Sequence, residues 1–312
     1  MSENNKILIT GVAGNVGSAL ANYLLANKYE VVGVDNFSTG AISKLPVHDN
    51  FTFVKLDVND IQALSQVMLS RQFDYVFHYA AVVGVQRTLD NPINVLNDIQ
   101  GIKNILELSK NTGVKKVAFS SSSEVYGEPV SLPQIENITP LNSKLPYAVV
   151  KNVGEAYFKS YHQEYGLDYV IFRFFNTYGP NQSEDFVIPK LLRQALHGKD
   201  ITIYGDGCQS RTFCYIDDNI EASCAIFFND EFSNDVYNIG SDKVYSVKEL
   251  AELLVKVTGS DSKLIHLPAL EEGDMTRRQP DISKMKAILN RELVPLEEGI
   301  QKLINFYSSK SE

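Results

Sequence analysis

The stretch Lys6–Gly17, KILITGVAGNVG, decides the fold of this chain. It begins with an apolar, β-branched run typical of a buried strand and leads into Asn15–Asn27, where apolar residues recur at helical spacing. Gly11, Gly14 and Gly17 form a G-x-x-G-x-x-G turn, one position away from the commoner dinucleotide fingerprint. Because glycine lacks a Cβ, backbone N–H groups of such a turn can approach a pyrophosphate at the positive end of the helix. The stretch predicts either a dinucleotide-binding βα unit or a plain tight turn.

An acidic residue at the end of the second predicted strand sharpens this interpretation. Asp35 closes the run Glu30–Asp35, about 20 residues after the glycine turn, where a carboxylate can accept hydrogen bonds from both hydroxyls of a ribose. A 2′-phosphate would meet like charge there, so the sequence favours NAD over NADP. Asn36 and the turn Ser38–Gly40 are candidates for further adenosine contacts. Asp57 either holds the adenine amino group or caps the chain.

Short β-branched runs alternate with amphipathic stretches through the first half of the chain. Strands joined by helical crossovers predict a parallel sheet with helices on both faces, an α/β fold of the doubly wound, Rossmann-type class. The remaining expected strands are Phe51–Val58, Asp74–Ala80, Lys115–Ser121 and Asp168–Phe174, and the expected helices are Asp60–Ser70, Pro92–Thr112 and Pro146–Tyr165.

The pattern changes after Pro180, where helices are separated by short apolar segments such as Asp200–Tyr204. We predict an NAD-binding domain over residues 1–178 and a smaller α/β substrate-binding lobe over residues 179–312, with elements interleaved between the two and a cleft between them. Gly205–Gly207 and Glu271–Asp274 are expected to be surface loops. The expected helices of this half are Val187–His197, Asp217–Asn229, Val247–Thr258, Ile282–Asn290 and Leu296–Ser308.

Composition excludes several classes of function. With 44% hydrophobic and 21% charged residues, the 312-residue chain is neither disordered nor collagen-like, and its net charge of −9 argues against a nucleic-acid partner. No apolar stretch approaches the ~18 residues of a membrane span, and no secretory h-region is present, so neither a membrane partner nor secretion is expected. Cys208, Cys214 and Cys224 lack metal-ligand spacing with histidine. We expect no metal site, and reduced, buried or half-buried thiols in a cytoplasmic protein.

Tyr147 and Lys151 stand four residues apart on the predicted helix Pro146–Tyr165 and therefore share one face. The ammonium can then lie beside the phenol and the cofactor ribose, where a cation favours the phenolate and lowers the pKa of tyrosine. The positive charge of an oxidised nicotinamide would act in the same direction. Such a phenol can take a hydroxyl proton near neutral pH, although Y-x-x-x-K spacing is common and often marks a surface pair.

A run of serines, Ser120–Ser123, ends the strand before the tyrosine helix and leads into Glu124. Ligands of parallel sheets bind at the carboxyl ends of the strands, so a hydroxyl such as that of Ser122 can hydrogen-bond a reacting oxygen there; loop capping is the alternative. The glycine turn, Asp35, Ser122 and the pair Tyr147/Lys151, taken together in this order and on these elements, are hard to produce by chance.

On these residues the chain resembles an extended short-chain dehydrogenase/reductase of the NAD-dependent nucleotide-sugar epimerase/dehydratase family, and within it the UDP-sugar 4-epimerases. The resemblance extends over nearly the whole chain. Further matching segments are Asp57–Val58, His78–Ala81, Arg173–Pro180, Tyr204–Phe213, Asn238–Gly240 and Leu296–Gly299.

The resemblance implies a role for each part of the site. Ser122, Tyr147 and Lys151 would be the catalytic triad, Glu124 a further catalytic group, and NAD the cofactor. The implied cofactor contacts are Gly11, Gly14, Asn15, Val16, Gly17, Asp35, Asn36, Ser38, Gly40, Asp57, Val58, Tyr79, Ala80, Ala81, Tyr147, Lys151 and Phe174. The implied nucleotide-sugar contacts are Arg87, Ser122, Ser123, Glu124, Tyr147, Asn176, Val187, Lys190, Tyr204, Arg211 and Arg278.

The shared chemistry of that family starts at C4 of the sugar. Tyr147 would take the hydroxyl proton while hydride passes to NAD, leaving a transient 4-keto sugar. Return of hydride to the opposite face makes a 4-epimerase of a UDP-hexose or UDP-N-acetylhexosamine, the function we favour. Removal of the C5 proton with loss of the C6 hydroxyl makes a 4,6-dehydratase, and a C6 carboxylate permits loss of carbon dioxide, as in UDP-glucuronate decarboxylases. A non-catalytic NAD-binding protein of the same fold is a further alternative.

Glu124 bears most directly on this choice. The 4-epimerases usually carry a small or neutral residue at this position, whereas dehydratases and decarboxylases carry Glu. The dehydratases pair that Glu with a preceding Asp, and here the preceding residue is Ser123. Arg278 resembles the decarboxylase pattern, while Leu145–Ala148 resembles epimerases and dehydratases.

The predicted helix Pro92–Thr112 carries one departure from the family and one implied interface. Asp98 stands where the family usually has a cofactor-facing Asn, which would be displaced to Asn97. In this fold the same helix and Pro146–Tyr165 usually pair with their copies in a homodimer. The apolar residues available for such pairing, or for packing on the sheet, are Ile93, Leu96, Ile99, Ile102, Leu106, Val150, Val153 and Tyr157.

Overall fold

The structure is a computed structural model that describes residues 5–269 and 277–309. Its strands are β1 (Lys6–Thr10), β2 (Glu30–Asp35), β3 (Phe51–Lys55), β4 (Tyr75–His78), β5 (Lys116–Ser122), β6 (Asp168–Phe174), β7 (Thr177–Tyr178), β8 (Ile201–Tyr204), β9 (Ser210–Thr212), β10 (Cys214–Tyr215), β11 (Asp235–Ile239), β12 (Val244–Ser246) and β13 (Leu264–Leu267). Its helices are α1 (Asn15–Ala26), α2 (Ile61–Arg71), α3 (Val85–Asp90), α4 (Pro92–Thr112), α5 (Pro146–Tyr165), α6 (Val187–Leu196), α7 (Ile216–Phe227), α8 (Val247–Thr258), α9 (Ser283–Leu289) and α10 (Leu296–Ser309).

Seven strands form one parallel sheet in the order β11-β6-β5-β4-β1-β2-β3. The chain starts near the middle, at β1, and winds first toward β3 and then toward β11. This reversal between β1 and β4 opens a crevice at the carboxyl ends of the strands, which is where doubly wound folds bind ligands. The predicted Rossmann-type fold is confirmed.

The register of the sheet aligns the strand ends that carry the candidate site. Thr10 pairs with His78, His78 with Phe119, and Ser122 with Phe174. All strands are parallel, so these ends lie along one edge of the sheet. β5 is buried along its whole length, because it lies inside the sheet with helices on both sides.

Two apolar cores cover the two faces of the sheet. On one face α2, α4 and α5 contribute Leu64, Ile105 and Phe158. On the other face α1 and α7 contribute residues such as Leu24 and Ile220. Helices with one apolar stripe can bury it only against such a sheet face, which is why strands and helices alternate along the sequence.

The described residues of the C-terminal half do not form a separate core. Leu192 of α6, Leu250 of α8 and Leu303 of α10 belong to the same buried cluster as Ile7 of β1. β11 follows residue 178 in the chain, yet it pairs with β6 at the edge of the large sheet. Three small two-stranded sheets complete this half: β7 with β10, β9 with β12, and β8 with β13. The boundary between residues 178 and 179 stays a prediction.

Several local expectations need correction. β3 ends at Lys55 rather than Val58, and α3 was not expected from the sequence. Cys214 and Cys224 are buried, but Cys208 is exposed because it follows the Gly205–Gly207 turn. The expected loop Glu271–Asp274 lies outside the described residues. Within the described ranges, no helix combines the length and apolarity needed to cross a bilayer.

Candidate active site

The glycine turn between β1 and α1 is closed by backbone contacts that leave no room for side chains. Gly11 has φ +72°, and a Cβ there would lie 2.7 Å from the nitrogen of Ala80. A Cβ on Gly17 would lie 2.2 Å from the carbonyl oxygen of Gly11. Gly14, at the N-cap of α1, offers no side-chain oxygen to the first turn, and that turn contains no acidic residue. The N-terminus of α1 is therefore open to an anionic group.

Asp35 at the end of β2 is tied to this turn by backbone hydrogen bonds. Its Oδ2 accepts from the nitrogen of Ala13 at 2.9 Å, and its Oδ1 accepts from the nitrogen of Phe37 at 2.7 Å. In the loop that follows, Asn36 Oδ1 accepts from the nitrogen of Ser38 at 2.8 Å. The Asp35 carboxylate is thus fixed beside the glycine turn, where the sequence predicts the adenosine ribose.

Asp57 lies two residues beyond β3, not at the end of the strand as expected. Its Oδ1 accepts from the nitrogen of Asn59 at 2.8 Å, which bends the chain out of the strand direction. Its Oδ2 accepts from Asn36 Nδ2 at 3.0 Å. Asp57 therefore caps a turn and also contacts the loop after Asp35, and its contact with an adenine amino group stays a prediction.

The other predicted cofactor residues lie along the same edge of the sheet. Thr10 Oγ1 accepts from the nitrogens of Tyr79 and Ala80, both at 3.1 Å, and so fixes the chain after β4. The ring of Phe174, at the end of β6, lies edge-on to Tyr79 with centroids 5.6 Å apart. Asn15 and Val16 lie in the first turn of α1, Gly40 in the loop after β2, Val58 after β3, and Ala81 after β4.

Ser122, Tyr147 and Lys151 come together where β5 ends and α5 begins. A Cβ on Gly154 would lie 2.4 Å from the ring of Phe119, so this glycine lets α5 pack directly on β5. The close approach places Tyr147 over the strand end, where a hydrogen bond joins its hydroxyl to that of Ser122. Lys151 Nζ lies 5.7 Å from the centroid of the Tyr147 ring.

The electrostatics of Tyr147 differ from the expectation. Burial raises the pKa of Tyr147 above its usual value, and the negative charges of Glu124 and Asp98 raise it further. The hydrogen bond from Ser122 and the charge of Arg278 lower this pKa but do not outweigh burial. The expected lowering is therefore wrong for the protein without bound ligands, because loss of solvent is the larger effect.

Lys151 is buried behind the tyrosine. Burial lowers its pKa to about 8, and the charge of Asp98 opposes this shift. Its Nζ donates to Ser120 Oγ at 3.4 Å. Burial and the neighbouring Lys151 lower the pKa of His78 to about 3, so this histidine is neutral; its Nδ1 lies 2.9 Å from Thr10 Oγ1.

Glu124 lies in a short 3-10 helix, Ser123–Tyr126, and forms an ion pair with Arg278. Both side chains are largely buried, at 13% and 9% exposure. Among the described residues, Glu124 Oε2 and Arg278 Nε find no hydrogen-bond partner. The candidate base is thus already paired, while the pair keeps one buried acceptor and one buried donor for a ligand.

The segment that carries Arg278 is held by main-chain pairing. The nitrogen of Gln134 donates to the carbonyl of Gln279, and the nitrogen of Asp281 donates to the carbonyl of Gln134, both at 2.8 Å. Asn238 Nδ2 also donates to the Gln134 carbonyl, at 2.9 Å. This pairing fixes Arg278 beside Glu124, although the two residues are far apart in the sequence.

The predicted nucleotide contacts form two further groups. Asn176 follows β6 and donates from Nδ2 to the carbonyl of Thr212 at 3.1 Å, next to the buried Arg211 of β9. Lys190 of α6 lies over the ring of Tyr204 at the end of β8, 4.8 Å from its centroid. The remaining predicted contacts are Val187, the first residue of α6, and Ser123, which follows β5.

Arg87 stands apart from these groups. It lies on α3 and forms an ion pair with Asp185, at 2.9 Å, in the loop before α6. Its Nη1 donates to the carbonyl of Val83 at 2.7 Å. Arg87 therefore links α3 to the C-terminal half, and its contact with a substrate stays a prediction.

With this geometry in place, residues 7–240 match the family model described as the NAD dependent epimerase/dehydratase family. The chain belongs to this family. It is therefore an NAD-dependent enzyme, as the sequence predicted, and the alternative of a non-catalytic NAD-binding protein is set aside.

Individual relatives carry several reactions. The chain is 33% identical to a UDP-glucuronate 4-epimerase of Thermodesulfobacterium geofontis, over 96% of this chain and 95% of that protein. It is 34% identical to a UDP-N-acetyl-alpha-D-glucosaminuronate decarboxylase of Bacillus cytotoxicus, over 97% of each. Among solved structures it is similar to a UDP-glucose 4-epimerase of Thermotoga maritima with UDP-glucose, with a TM-score of 0.93 at 32% identity, covering 98% of this chain and 100% of that one.

The cofactor end of this family member fits NAD. The glycine turn has no space for a Cβ at Gly11 or Gly17 and leaves the N-terminus of α1 open to a pyrophosphate. Asn15 Oδ1 is buried there without a hydrogen-bond partner among the described residues. Asp35 places a carboxylate where a 2′-phosphate would be repelled. Gly11, Gly14, Gly17, Asn15 and Asp35 are thus the residues that would hold the dinucleotide.

Two residues that belong to this site, Asp98 and His78, were not among the predicted site residues. Asp98 acts on both Lys151 and Tyr147, whereas the neighbouring Asn97 is exposed. The displacement of a cofactor-facing Asn to position 97 stays a prediction. His78 was noted only as part of a matching segment, yet it is buried beside Lys151. Its place at the end of a central strand was a signal that could have identified it.

Proposed function

We propose that the protein is a UDP-sugar 4-epimerase acting on a UDP-hexose or a UDP-N-acetylhexosamine through a transient 4-keto sugar. The observation that carries this proposal is that Ser122, Tyr147 and Lys151 meet at the sheet edge while Glu124 is held by Arg278. Chemistry at C4 needs only the first three residues. The dehydratase and decarboxylase reactions need a further group that acts at C5 or C6.

Tyr147 is the proposed base and acid at the C4 hydroxyl, with the Ser122 hydroxyl hydrogen-bonded to the same oxygen. Bound NAD supplies the chemistry of accepting a hydride and giving it back. Because burial raises the pKa of Tyr147 in the protein alone, the phenol needs positive charge nearby before it can take a proton. Lys151 supplies part of that charge, and an oxidised nicotinamide supplies the rest. This dependence makes Tyr147 a base only once the cofactor is in place.

The nucleotide end supports a nucleoside diphosphate as the carrier of the sugar. We propose that Asn176 and the buried Arg211 bind the diphosphate, since a guanidinium and an amide are suitable donors to phosphate oxygens. Lys190 and Tyr204 would bind the base and the second ribose. The three relatives described above all act on or were solved with UDP-sugars by name, which supports uridine as the base.

A 4,6-dehydratase receives less support from the site. That reaction needs a base at C5 and a proton donor to the leaving C6 hydroxyl. Ser123 stands where the family's dehydratases have the donor, and the Glu124 carboxylate is engaged by Arg278. Ser123 is not an acidic donor, and the charge of Arg278 weakens Glu124 as a base, although Glu124 Oε2 has no hydrogen-bond partner among the described residues.

Decarboxylation of a UDP-hexuronate is the second candidate, and one observation favours it. Arg278 Nε is buried and has no hydrogen-bond partner among the described residues. A guanidinium N–H in that state is a suitable donor to a C6 carboxylate. The 4-keto uronate formed at C4 would lose C6 as carbon dioxide, and C5 would gain a proton in its place.

The deciding experiment is incubation of the purified enzyme with UDP-glucose, UDP-N-acetylglucosamine and UDP-glucuronate, followed by NMR of the products. A 4-epimerase inverts C4 and keeps all six sugar carbons. A decarboxylase releases carbon dioxide from UDP-glucuronate alone and leaves a UDP-pentose. A 6-deoxy-4-keto product from UDP-glucose or UDP-N-acetylglucosamine would overturn both candidates in favour of a dehydratase.

A matched variant tests the role of Tyr147 in the same assay. Tyr147→Phe removes one oxygen and keeps the ring, so we expect turnover to fall by about 10²- to 10⁴-fold, as for loss of a general base. Thermal unfolding and NAD content should stay close to those of the wild type. Full activity of Tyr147→Phe would contradict the assignment.

A homodimer is proposed from the outer faces of α4 and α5. Ile102, Leu106 and Val150 are buried on the sheet, so they are not available to a second copy. Ile93 and Leu96 remain exposed, at 68% and 38%. Val153, Tyr157 and Tyr161 on α5 extend this apolar face. Sedimentation analysis is expected to give twice the mass of the chain.

A further inference from the structure

A continuous chain of buried hydrogen bonds passes through the 3-10 helix that carries Glu124. Its central member is Tyr126, two residues beyond Glu124 and only 1% exposed. The Tyr126 hydroxyl accepts from Nη1 of Arg173 and donates to Oδ1 of Asn238, both at 2.8 Å. Arg173 belongs to β6 and Asn238 to β11, so one hydroxyl joins this helix to two strands of the large sheet.

One branch of this chain leads to the segment that carries Arg278. Asn238 is fully buried and donates from Nδ2 to two carbonyl oxygens, that of Gln134 at 2.9 Å and that of Asp281 at 3.2 Å. Asp281 lies three residues after Arg278. The hydrogen bonds of Tyr126 and Asn238 thus form a second link between the two segments that the ion pair joins directly.

The other branch leads to α5, which carries Lys151. Arg173 forms a bidentate ion pair with Glu155, through Nε at 2.8 Å and Nη2 at 2.7 Å. Glu155 lies one helical turn beyond Lys151, and it also accepts from Ser121 Oγ at 2.6 Å. Ser121 directly precedes Ser122 in β5. Because a bidentate guanidinium–carboxylate pair has a fixed geometry, this branch holds α5 against β5 beside the proposed catalytic residues.

The same 3-10 helix also orients the Ser122 hydroxyl. The nitrogen of Glu124 donates to Ser122 Oγ at 3.2 Å, so the position of this helix sets both the hydroxyl and the Glu124 carboxylate. Buried polar networks whose members are paired hold one geometry, because a displacement leaves a buried donor or acceptor without its partner. The Tyr126 hydroxyl is the point at which the helix enters the network.

We propose that Tyr126 is a positioning residue of this active site, whose hydroxyl holds the helix of Glu124 in register with the segment of Arg278. Because its side chain is buried, Tyr126 acts through Ser122, Glu124 and Arg278 and not by contact with the sugar. This inference rests on the function proposed above, since it concerns the same site.

Tyr126→Phe removes this hydroxyl and keeps the ring. Arg173 Nη1 retains the carbonyl of Glu136 as an acceptor, at 2.9 Å, so the branch to α5 is preserved. Asn238 Oδ1 instead loses its donor, and the link to the segment of Arg278 is weakened. The variant therefore acts mainly on one of the two branches.

Tyr237→Phe is the matched control. Tyr237 lies in β11 next to Asn238, is 4% exposed, and donates its hydroxyl to the carbonyl of Phe232 at 3.0 Å. This variant also removes one buried, hydrogen-bonded hydroxyl, but it leaves the chain through Tyr126 intact. We expect both variants to unfold at a lower temperature than the wild type, because each loses a buried hydrogen bond.

NMR of protein with isotopically labelled arginine side chains tests the positioning without turnover. The Nε–H signal of Arg278 is identified by its absence in Arg278→Gln. We expect this signal to move in Tyr126→Phe and to keep its position in Tyr237→Phe. The measurement reports on the segment of Arg278 whatever the reaction of the enzyme is.

Steady-state kinetics with the UDP-sugar substrate provide the second readout. We expect kcat of Tyr126→Phe to fall by about 10- to 100-fold, because small displacements of reacting groups have effects of this size. KM should change by less than about twofold, since the proposed nucleotide contacts Asn176 and Arg211 make their hydrogen bonds to other residues. Tyr237→Phe should leave both constants unchanged.

The outcomes are distinct. Movement of the Arg278 signal together with loss of kcat, in Tyr126→Phe alone, supports the proposal. The proposal is overturned if that signal keeps its position in Tyr126→Phe, if it moves equally in Tyr237→Phe, or if kcat of Tyr126→Phe equals that of the wild type. If the signal moves as expected while the wild type epimerises no UDP-sugar, the positioning of Arg278 by Tyr126 stands and the proposed function fails.

Discussion

The cofactor end and the sugar end of the same sheet edge are built in different ways. The cofactor end consists of a backbone turn and neighbours joined through the backbone, such as Asp35 with Ala13. The sugar end consists of side chains brought together from distant parts of the chain, such as Glu124 with Arg278 and Asn176 with Thr212. The first arrangement admits almost no variation, whereas the second can be altered one side chain at a time. This difference agrees with the finding that relatives of about one-third identity are named for different reactions, a 4-epimerisation and a decarboxylation.

The largest effect is expected at the glycine turn of the cofactor end, where Gly17 has no space for an added side chain. In Gly17→Ala the new Cβ would lie 2.2 Å from the Gly11 carbonyl oxygen, so the turn cannot close and we expect complete loss of retained NAD and of turnover. Gly113→Ala is the control. Gly113, after α4, has φ +78°, but no atom of the described residues lies within 4 Å of the added Cβ, so only about 1–2 kcal/mol of backbone strain is expected. If Gly17→Ala and Gly113→Ala retained equal amounts of NAD, the glycine turn would not be the less tolerant of the two ends of the site.

The next effect concerns the pair that defines the sugar end. Arg278→Gln leaves the Glu124 carboxylate buried without a counter-charge, and we expect the free energy of unfolding to fall by about 3–5 kcal/mol. The double variant Glu124→Gln/Arg278→Gln should lose less than the sum of the two single changes, because both buried charges are then gone. Urea denaturation of the four proteins measures this coupling. Additive losses would mean that the two side chains do not depend on each other.

The cofactor end could be predicted from the sequence more fully than the sugar end. The glycine turn and Asp35 could be read directly, because their contacts are local and their chemistry is fixed by residue type. Glu124 and Arg278 were noted separately, but their pairing depends on tertiary structure that a single sequence does not contain. The raised pKa of Tyr147 could not be predicted for the same reason, since it is caused by burial and not by spacing.

Smaller omissions and errors have equally physical causes. Helical periodicity did not distinguish Asp98 from Asn97, since adjacent positions differ by only about 100° around a helix. Strand propensity continued through Val58, but the side chain of Asp57 bonds to the backbone of Asn59 and ends β3 earlier. The type of each element was therefore predicted better than the residues at which a side chain ends an element or faces the site.

A third prediction concerns His78, the last residue of β4, which lies at the boundary between the cofactor end and the sugar end. Its pKa is about 3 in the folded protein, against an ordinary value of 6.5. Between these two pH values the unfolded chain therefore binds a proton that the folded protein does not bind. The part of the free energy of unfolding that depends on neutral His78 is fully present above pH 6.5. It decreases by about 1.4 kcal/mol per pH unit as the pH falls from 6.5 toward 3.

His78→Gln should weaken this acid dependence, which urea midpoints measured at successive pH values will show. Gln can still bond to Thr10 but cannot acquire a charge in this range. His48→Gln is the control, because His48 is exposed and should leave the curve unchanged. A wild-type midpoint that does not depend on pH in this window would contradict the burial of a neutral histidine.

The smallest effect is expected at the outer rim of the sugar end, where Lys190 lies over the ring of Tyr204. Lys190→Met keeps most of the aliphatic stem but removes the cation, and a contact of this kind contributes about 0.5–1 kcal/mol when it is partly exposed. If the pair helps to bind the nucleotide, KM for the UDP-sugar should rise about two- to fivefold with kcat unchanged. Lys199→Met, an exposed lysine just beyond α6, should change neither constant. A change in kcat but not in KM for Lys190→Met would mean that Lys190 does not act through nucleotide binding, because a contact confined to the nucleotide is equally strong before and during the chemistry at C4.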